Sequence, residues 1–181
     1  MNVLPVRKPN RLDDYDYSKN GAYFVTMCTK NRENILGGYV GATVPGRPLS
    51  PSDTSRPVIR LTDLGKFVDQ TINFVHNNID NDVKINKYVI MPNHVHIIIV
   101  LRSKTGDRGR SPLHGVVRNI KSYVSKWAGF PLWQKSFHDH VIRDLKEYYF
   151  IENYIENNPS TWENDCFYRE IAANLSKGGM A

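Results

Sequence analysis

The chain has 181 residues, 24 Lys and Arg against 18 Asp and Glu, a formal charge of +6 and a 40% hydrophobic share. That is enough for one cored domain and short for two, and no apolar run approaches the roughly 20 residues of a membrane span. One domain over residues 1–181 is expected, with no membrane contact. The start, MNVLPVRKPNRLDDYDY, has no apolar stretch ahead of its charges, so no secretory signal and a cytoplasmic setting are expected. Cys28 and Cys166 form no CxxC pair and read as free thiols. The excess of base recurs at Arg7-Lys8, Lys30 to Arg32, Arg56 to Lys66 and Arg102 to Arg110, a field that attracts polyanions.

Ala22 to Cys28, apolar, β-branched and aromatic, predicts a first strand. Gly37 to Pro57 is rich in Gly, Pro and Ser and is expected to hold no regular element, only a long flexible insertion. Thr62 suits an N-cap, and Leu64, Phe67, Val68, Ile72 and Val75 keep helical spacing up to Asn77-Asn78. Two β-rich runs, Val83 to Ile90 and His94 to Val100, flank Met91-Pro92-Asn93, where a hairpin turn fits better than one bulged strand.

Arg102 to Arg110 reads as a basic loop. Ser111-Pro112 opens a helix with Val116, Val117, Ile120, Tyr123, Val124 and Trp127 as its buried stripe. Phe137 to Arg143 is a last strand. Asp144 with Glu147 makes a capping box for a final helix that buries Tyr148, Ile151 and Ile155 and stops at Asn158-Pro159. The order β-α-β-β-α-β-α predicts an α+β, ferredoxin-like (RRM-like) antiparallel sheet with helices on one face, plus a C-terminal helix.

Strand alternation sends His94 and His96 to one face, where two neutral imidazoles can hold a divalent ion and leave positions for a phosphate oxygen. An HxH in a strand is by itself a common chance motif. What raises its standing is the final helix, on which Tyr154 and Asn158 stand at i and i+4 and share a face. A hydroxyl nucleophile and an amide-oxygen ligand are thereby offered to one metal. A phenol, with a pKa of about 10, leaves readily from phosphorus, so a tyrosine suits reversible strand cleavage. His138 and His140 form a rival pair with no nucleophile tied to it, and otherwise read as edge-strand histidines or DNA contacts; His76 and His114 are isolated.

Tyr88-Val-Ile-Met-Pro-Asn-His-Val-His-Ile-Ile-Ile, Trp133-Gln with Phe137-His-Asp-His-Val-Ile-Arg, and Tyr154-Ile-Glu-Asn-Asn-Pro together resemble the single-tyrosine HUH transposases, in particular the REP-associated tyrosine transposase branch. Asp14-Tyr-Asp-Tyr and Tyr23-Phe-Val-Thr extend the likeness over roughly residues 11–160. The resemblance implies the HUH endonuclease fold, His94 and His96 as the metal pair, Asn158 as third ligand, and Mg²⁺ or Mn²⁺ as the ion. It further implies Tyr154 as nucleophile, a 5′-phosphotyrosine intermediate, and single-stranded DNA bearing a hairpin (palindromic repeat) as substrate. Rolling-circle initiators, with Tyr-x-x-Lys, fit less well because Asn157 follows Tyr154 at that spacing. Conjugative relaxases also fit less well, since their tyrosine precedes the histidine pair.

Arg118, Lys121, His140 and Arg143 are the candidate DNA contacts. The sequence favours neither monomer nor homodimer. Two other readings stand beside the transposase: a domesticated nickase with the same chemistry, and a non-enzymatic single-strand binder stacking bases on Tyr23, Phe24 and Tyr88.

Overall fold

The structure, a computed structural model, describes residues 19–40, 58–78, 82–102 and 112–168. Strands β1 (Gly21–Cys28), β4 (Val83–Ile90), β5 (His94–Leu101) and β6 (His138–Ile142) form one sheet in the order β4-β5-β1-β6, with every neighbouring pair antiparallel. Helices α1 (Asp63–Asn78), α2 (Pro112–Ala128) and α3 (Leu145–Asn157) complete the α+β fold expected from the sequence. No helix among the described residues is long and apolar enough to cross a membrane.

The pleat divides the sheet into two chemically different faces. Tyr23, Val25 and Met27 of β1 and Val95, Ile97, Ile99 and Leu101 of β5 join the buried residues of α1 and α2 in the main core. The opposite face carries Phe24, Ile98 and Ile142 and is covered by Ile151 and Ile155 of α3. Strand β5 is therefore buried on both sides, which is why it reads as an unbroken apolar run apart from its histidines.

Thr62 caps α1 as expected, its Oγ1 accepting the Gly65 amide at 3.1 Å. Asp144 caps α3 by accepting from the Glu147 amide at 2.8 Å. The reciprocal half of the box is displaced: Glu147 accepts from the amide of Arg143, one residue ahead of the cap, at 2.7 Å. The helix ends at Asn157 and continues as a 3-10 segment, Asn158–Asn164, with Pro159 in its first turn. Both cysteines are free, and burial pushes the Cys28 thiol up to about 11.

Two expectations are corrected. Gly37–Val40 is not irregular: it forms strand β2, paired antiparallel with β3 (Val58–Leu61) as a separate two-stranded sheet. Gly37 fits because a Cβ there would lie 2.9 Å from Ile59 Cγ2 and 3.2 Å from the Arg60 carbonyl oxygen. The remainder of the predicted insertion, residues 41–57, lies outside the described residues, as do Ser111 and the basic loop at residues 103–110. On α2, Tyr123 and Trp127 do not join the buried stripe and are 49% and 53% exposed. They pair instead with α1 along its outer edge, Trp127 stacked on Phe67 at 4.4 Å and Tyr123 edge-on to Phe74 at 6.0 Å.

The chain enters α1 across Leu36, whose carbonyl accepts the Thr62 amide at 3.0 Å and whose own amide donates to the Pro92 carbonyl at 2.9 Å. Gly65 lies directly over that carbonyl, and any Cβ at this position would collide with Leu36 backbone. Gly65→Ala should therefore destabilise the protein by about 2 kcal/mol despite alanine's better helix propensity, read as a lower urea midpoint with unchanged m-value.

Candidate metal and nucleophile site

His94 and His96 lie on the α3 side of β5, at 0% and 1% exposure. A buried imidazole needs partners for both nitrogens, and the neighbouring strand and turn supply the outer ones. Thr26 on β1 stands opposite His96 in the register, and its Oγ1 is 2.8 Å from His96 Nδ1. Asn93 Oδ1 is 2.9 Å from His94 Nδ1. Its amide orientation is unambiguous, because Asn93 Nδ2 donates to the carbonyls of Phe167 at 2.9 Å and Arg32 at 3.3 Å, which can only accept. His94 Nδ1 must then carry the proton, leaving a bare lone pair on Nε2. That Nε2 faces His96 Nε2 at 3.0 Å.

Helix α3 crosses the same face and lays Tyr154 over the pair. Its ring is 5.3 Å from the His96 ring and edge-on to Phe24 at 6.2 Å. The Tyr154 hydroxyl is 3.3 Å from His96 Nε2 and donates to Asp165 Oδ2 at 2.9 Å. Asn158, one helical turn on, is 1% exposed and donates its Nδ2 to the same Asp165 oxygen at 2.8 Å. Asn158 Oδ1 is buried with no hydrogen-bond partner among the described residues.

Asp165 is the residue that sequence reasoning missed. One ligand atom each from His94, His96 and Asp165 lie within 4.8 Å of one another, a spacing one cation can bridge. The donor set fits a divalent metal: two imidazoles, one carboxylate and an orphaned amide oxygen. Burial is the main cause that holds both imidazoles neutral, lowering His94 well below its ordinary value and His96 to about 4. Neutral imidazole is the ligating form. The Tyr154 phenol is raised, first by burial and then by the Asp165 charge beside it, so it stays protonated in this arrangement.

Residues 162–168 close the site. Trp162 and Phe167 lie against the His94 ring at 5.6 and 4.7 Å, and the Arg32 guanidinium sits 4.9 Å over the Phe167 ring. Asn31 and Arg32 hold left-handed φ values of 57° and 56°, a costly conformation for consecutive non-glycine residues. At 0% and 1% exposure, the imidazoles are closed off from solvent beneath this segment.

The other sequence candidates lie elsewhere. His138 and His140 are exposed on β6, and His140 Nε2 is 2.7 Å from Glu147 Oε1. The Arg143 amide and His140 together hold the Glu147 carboxyl below the usual range. Arg143 and Arg118 are exposed. Lys121 is half-buried and spends its ammonium on the backbone carbonyls of Gln134, Lys135 and Ser136, at 2.6, 3.2 and 3.3 Å.

No family model matches the chain. An uncharacterised protein of Haemophilus influenzae is 32% identical over 183 aligned residues, covering 90% of this chain and 93% of that one. The REP-associated tyrosine transposase of Escherichia coli K12 is 30% identical over 106 residues, covering 53% of this chain and 61% of that protein. A solved structure of a REP-associated tyrosine transposase bound to a REP hairpin shares the fold, with a TM-score of 0.56 and 23% identity over 83% of this chain and 74% of its own. The chain is thus similar in sequence to a REP-associated tyrosine transposase over about half its length, and shares the fold of another over most of it.

The histidine pair, the tyrosine and the asparagine of the resemblance thus meet in one place; Thr26 and Asn93 lay within its motifs without an assigned role, while Asp165, Trp162 and Phe167 came without a sequence signal. The pair also sets a pH dependence for the metal-free protein. Unfolded, both imidazoles titrate near 6.5; folded, both pKa values are lower, His96 to about 4. Between those values the unfolded chain binds more protons, so stability falls as pH drops through the window. Metal-free protein should lose on the order of 5 °C in Tm between pH 7.5 and pH 5, and a variant with both histidines replaced by alanine should lose much less. A flat wild-type profile would show that the rings are solvated.

Proposed function

We propose that the protein is a metal-dependent endonuclease and strand transferase that cuts and rejoins single-stranded DNA beside a hairpin, through a 5′-phosphotyrosine on Tyr154. The observation that carries this reading is the Tyr154 hydroxyl at 3.3 Å from His96 Nε2, with His94 Nε2 3.0 Å beyond. A hydroxyl thus rests directly on a pair of neutral imidazoles whose Nε2 atoms converge. The known relative bound to a REP hairpin supports the substrate class.

In the reaction, the Tyr154 oxygen attacks the scissile phosphorus, the bond from phosphorus to the 3′ oxygen breaks, and the departing strand takes up a proton as a free 3′-OH. Asp165 Oδ2 receives the phenolic hydrogen at 2.9 Å in the closed arrangement; once residues 162–168 move to admit the phosphate, the Tyr154 proton passes to solvent. Rejoining reverses each step: a 3′-OH attacks the phosphotyrosine and the phenol leaves. One phosphodiester is exchanged for another, so no nucleotide cofactor is consumed. Bound Mg²⁺ or Mn²⁺ would supply Lewis-acid polarisation of the phosphate. His94, His96 and Asp165 would hold the ion in the closed arrangement. Asn158, fixed to the end of α3 with its Oδ1 unpartnered, is the oxygen left to the site when residues 162–168 move.

The single-strand binder that stacks bases on the sheet is the weaker reading. Tyr23 is 0% exposed in the α1 and α2 core, and Phe24 lies under Tyr154 and 5.0 Å from the His96 ring. Tyr88 donates its hydroxyl to Asp69 at 2.7 Å, which with burial pushes its pKa up to about 12.

The test incubates protein with Mn²⁺ and end-labelled single-stranded hairpin DNA and looks for a denaturation-resistant protein–DNA adduct. Wild type forms it and Tyr154→Phe does not; an adduct with Tyr154→Phe would remove the assigned nucleophile. His94→Ala should cut at least about 100-fold more slowly while still binding the hairpin. Metal titration by calorimetry separates the oxygen donors. Asp165→Asn should weaken Mn²⁺ binding by about 10–100-fold, whereas an unchanged affinity there with a loss in Asn158→Ala would assign the third position to the amide alone.

A further inference from the structure

A groove of about 1410 Å³ runs between α2 and the loop that leads to β6, away from the histidine pair. It exceeds the roughly 300–1,000 Å³ of small-molecule pockets and is open along its length. Its wall carries Arg118, Lys121, Lys126 and Lys135 and, among the described residues, no aspartate or glutamate. Among the described residues, Arg118, Lys126 and Lys135 have no ion-pair partner. Interleaved with these cations are aromatic rings: Phe130, 48% exposed, and the more buried Trp133 and Phe137. The Trp133 indole N–H is buried with no acceptor among the described residues.

The outer wall is held in place without a ligand. Lys121 clamps the carbonyls of residues 134–136, Gln134 donates to the Cys28 carbonyl at 2.9 Å, and Lys30 donates to the Leu132 carbonyl at 2.7 Å. Gly129, at φ 78°, takes the left-handed turn that ends α2 and sets Phe130 at the groove's mouth. Trp133 bridges to Thr29, the residue after Cys28, and Cys28 is the register partner of His94. A strand lying in the groove therefore arrives at the end of the sheet that bears the histidine pair.

We infer that this groove binds an unpaired segment of DNA that continues from the hairpin toward the cleavage site. Unpaired bases present flat faces that the exposed Phe130 and the half-buried Phe137 can stack, and their phosphates meet Arg118, Lys126 and Lys135. Duplex DNA offers no free base face to a groove of this kind, and an acid-free wall selects a polyanion over an apolar partner. The inference deepens the proposed function and rests on it for the choice of DNA.

Fluorescence anisotropy with two probes tests it: a hairpin carrying a single-stranded tail on the side of the cleavage site, and the same hairpin without the tail. Arg118→Ala with Lys135→Ala should weaken binding of the tailed probe about tenfold and reduce the salt slope by about 1.4, at about 0.7 for each phosphate no longer neutralised. Binding of the tailless hairpin should not change. Phe130→Ala should cost the tailed probe a similar factor with little change in salt slope. These exposed positions leave the fold intact, which circular dichroism melting checks. Cross-linking of 5-iodouracil in the tail should fall on Phe130 or Phe137. Equal losses for both probes would make the groove a duplex site, and no loss for either, or a single-stranded RNA tail that outcompetes DNA, would overturn the inference. If the groove variants bind like wild type while wild type forms the tyrosine adduct, the groove is refuted and the proposed chemistry stands. If tail binding depends on the groove but no adduct ever forms, the chemistry fails and the groove survives as a single-strand site.

Discussion

Two imidazoles sealed against the apolar underside of α3 are the constraint on which the site depends. A buried ring nitrogen without a partner costs on the order of 1–3 kcal/mol, so the fold meets the two outer nitrogens from different elements. Thr26 comes from the opposing strand through the register, and Asn93 from the hairpin turn. Asn93 is in turn fixed by two carbonyls, and its own carbonyl accepts the Thr29 amide at 2.9 Å. Register, turn and ring orientation are one system: slipping β1 by one residue would turn Thr26 to the other face and free His96 to rotate. The Nε2 atoms converge because everything around them is fixed first.

Asp165 gives this arrangement its electrostatic character. Its carboxylate gathers the Tyr154 hydroxyl and the Asn158 amide on one oxygen and the Phe167 amide, at 2.7 Å, on the other. A negative charge so close to the phenol opposes ionisation and keeps the nucleophile quiet. If His94, His96 and Asp165 hold a divalent cation as proposed, its positive charge would offset the carboxylate and favour developing phenolate. On the proposed reading, one residue thus holds the Tyr154 phenol protonated in metal-free protein and would help to hold the cation.

What the sequence disclosed follows from periodicity. Alternation put His94 and His96 on one face, a helical turn put Tyr154 over Asn158, and the order of elements gave the sheet. Trp162 lies in the 3-10 segment that contains Pro159, and Asp165 and Phe167 just beyond it, a stretch with no apolar period; Trp162 and Phe167 are set by docking onto His94, a tertiary event without a local signature. Strand β2 was hidden for a related reason: Gly37–Val40 has poor strand propensity and exists because Val58–Leu61, across residues 41–57, pairs with it. Tyr123 and Trp127 have the right spacing for a core stripe, but they sit at its margin, where α1 provides aromatic edges instead of a covering layer. Lys121 looked like a phosphate contact by composition, whereas three carbonyls already hold it.

The sheet separates two tasks that the sequence runs together. On the α3 side the imidazoles are shut beneath Trp162 and Phe167, so on the proposed reading substrate phosphate would enter only at the expense of contacts to His94, Asn93 and Arg32. On the α2 side the basic groove is already open, and its wall is pinned by bonds that touch none of those residues except through the strand end at Thr29. On the inferred reading, DNA that fills the groove would bind without first disturbing the closed site. Affinity should then follow the length and unpaired character of the flanking strand, while cleavage follows what holds Phe167 against the histidines, and substitutions on the two sides of the sheet should act nearly independently.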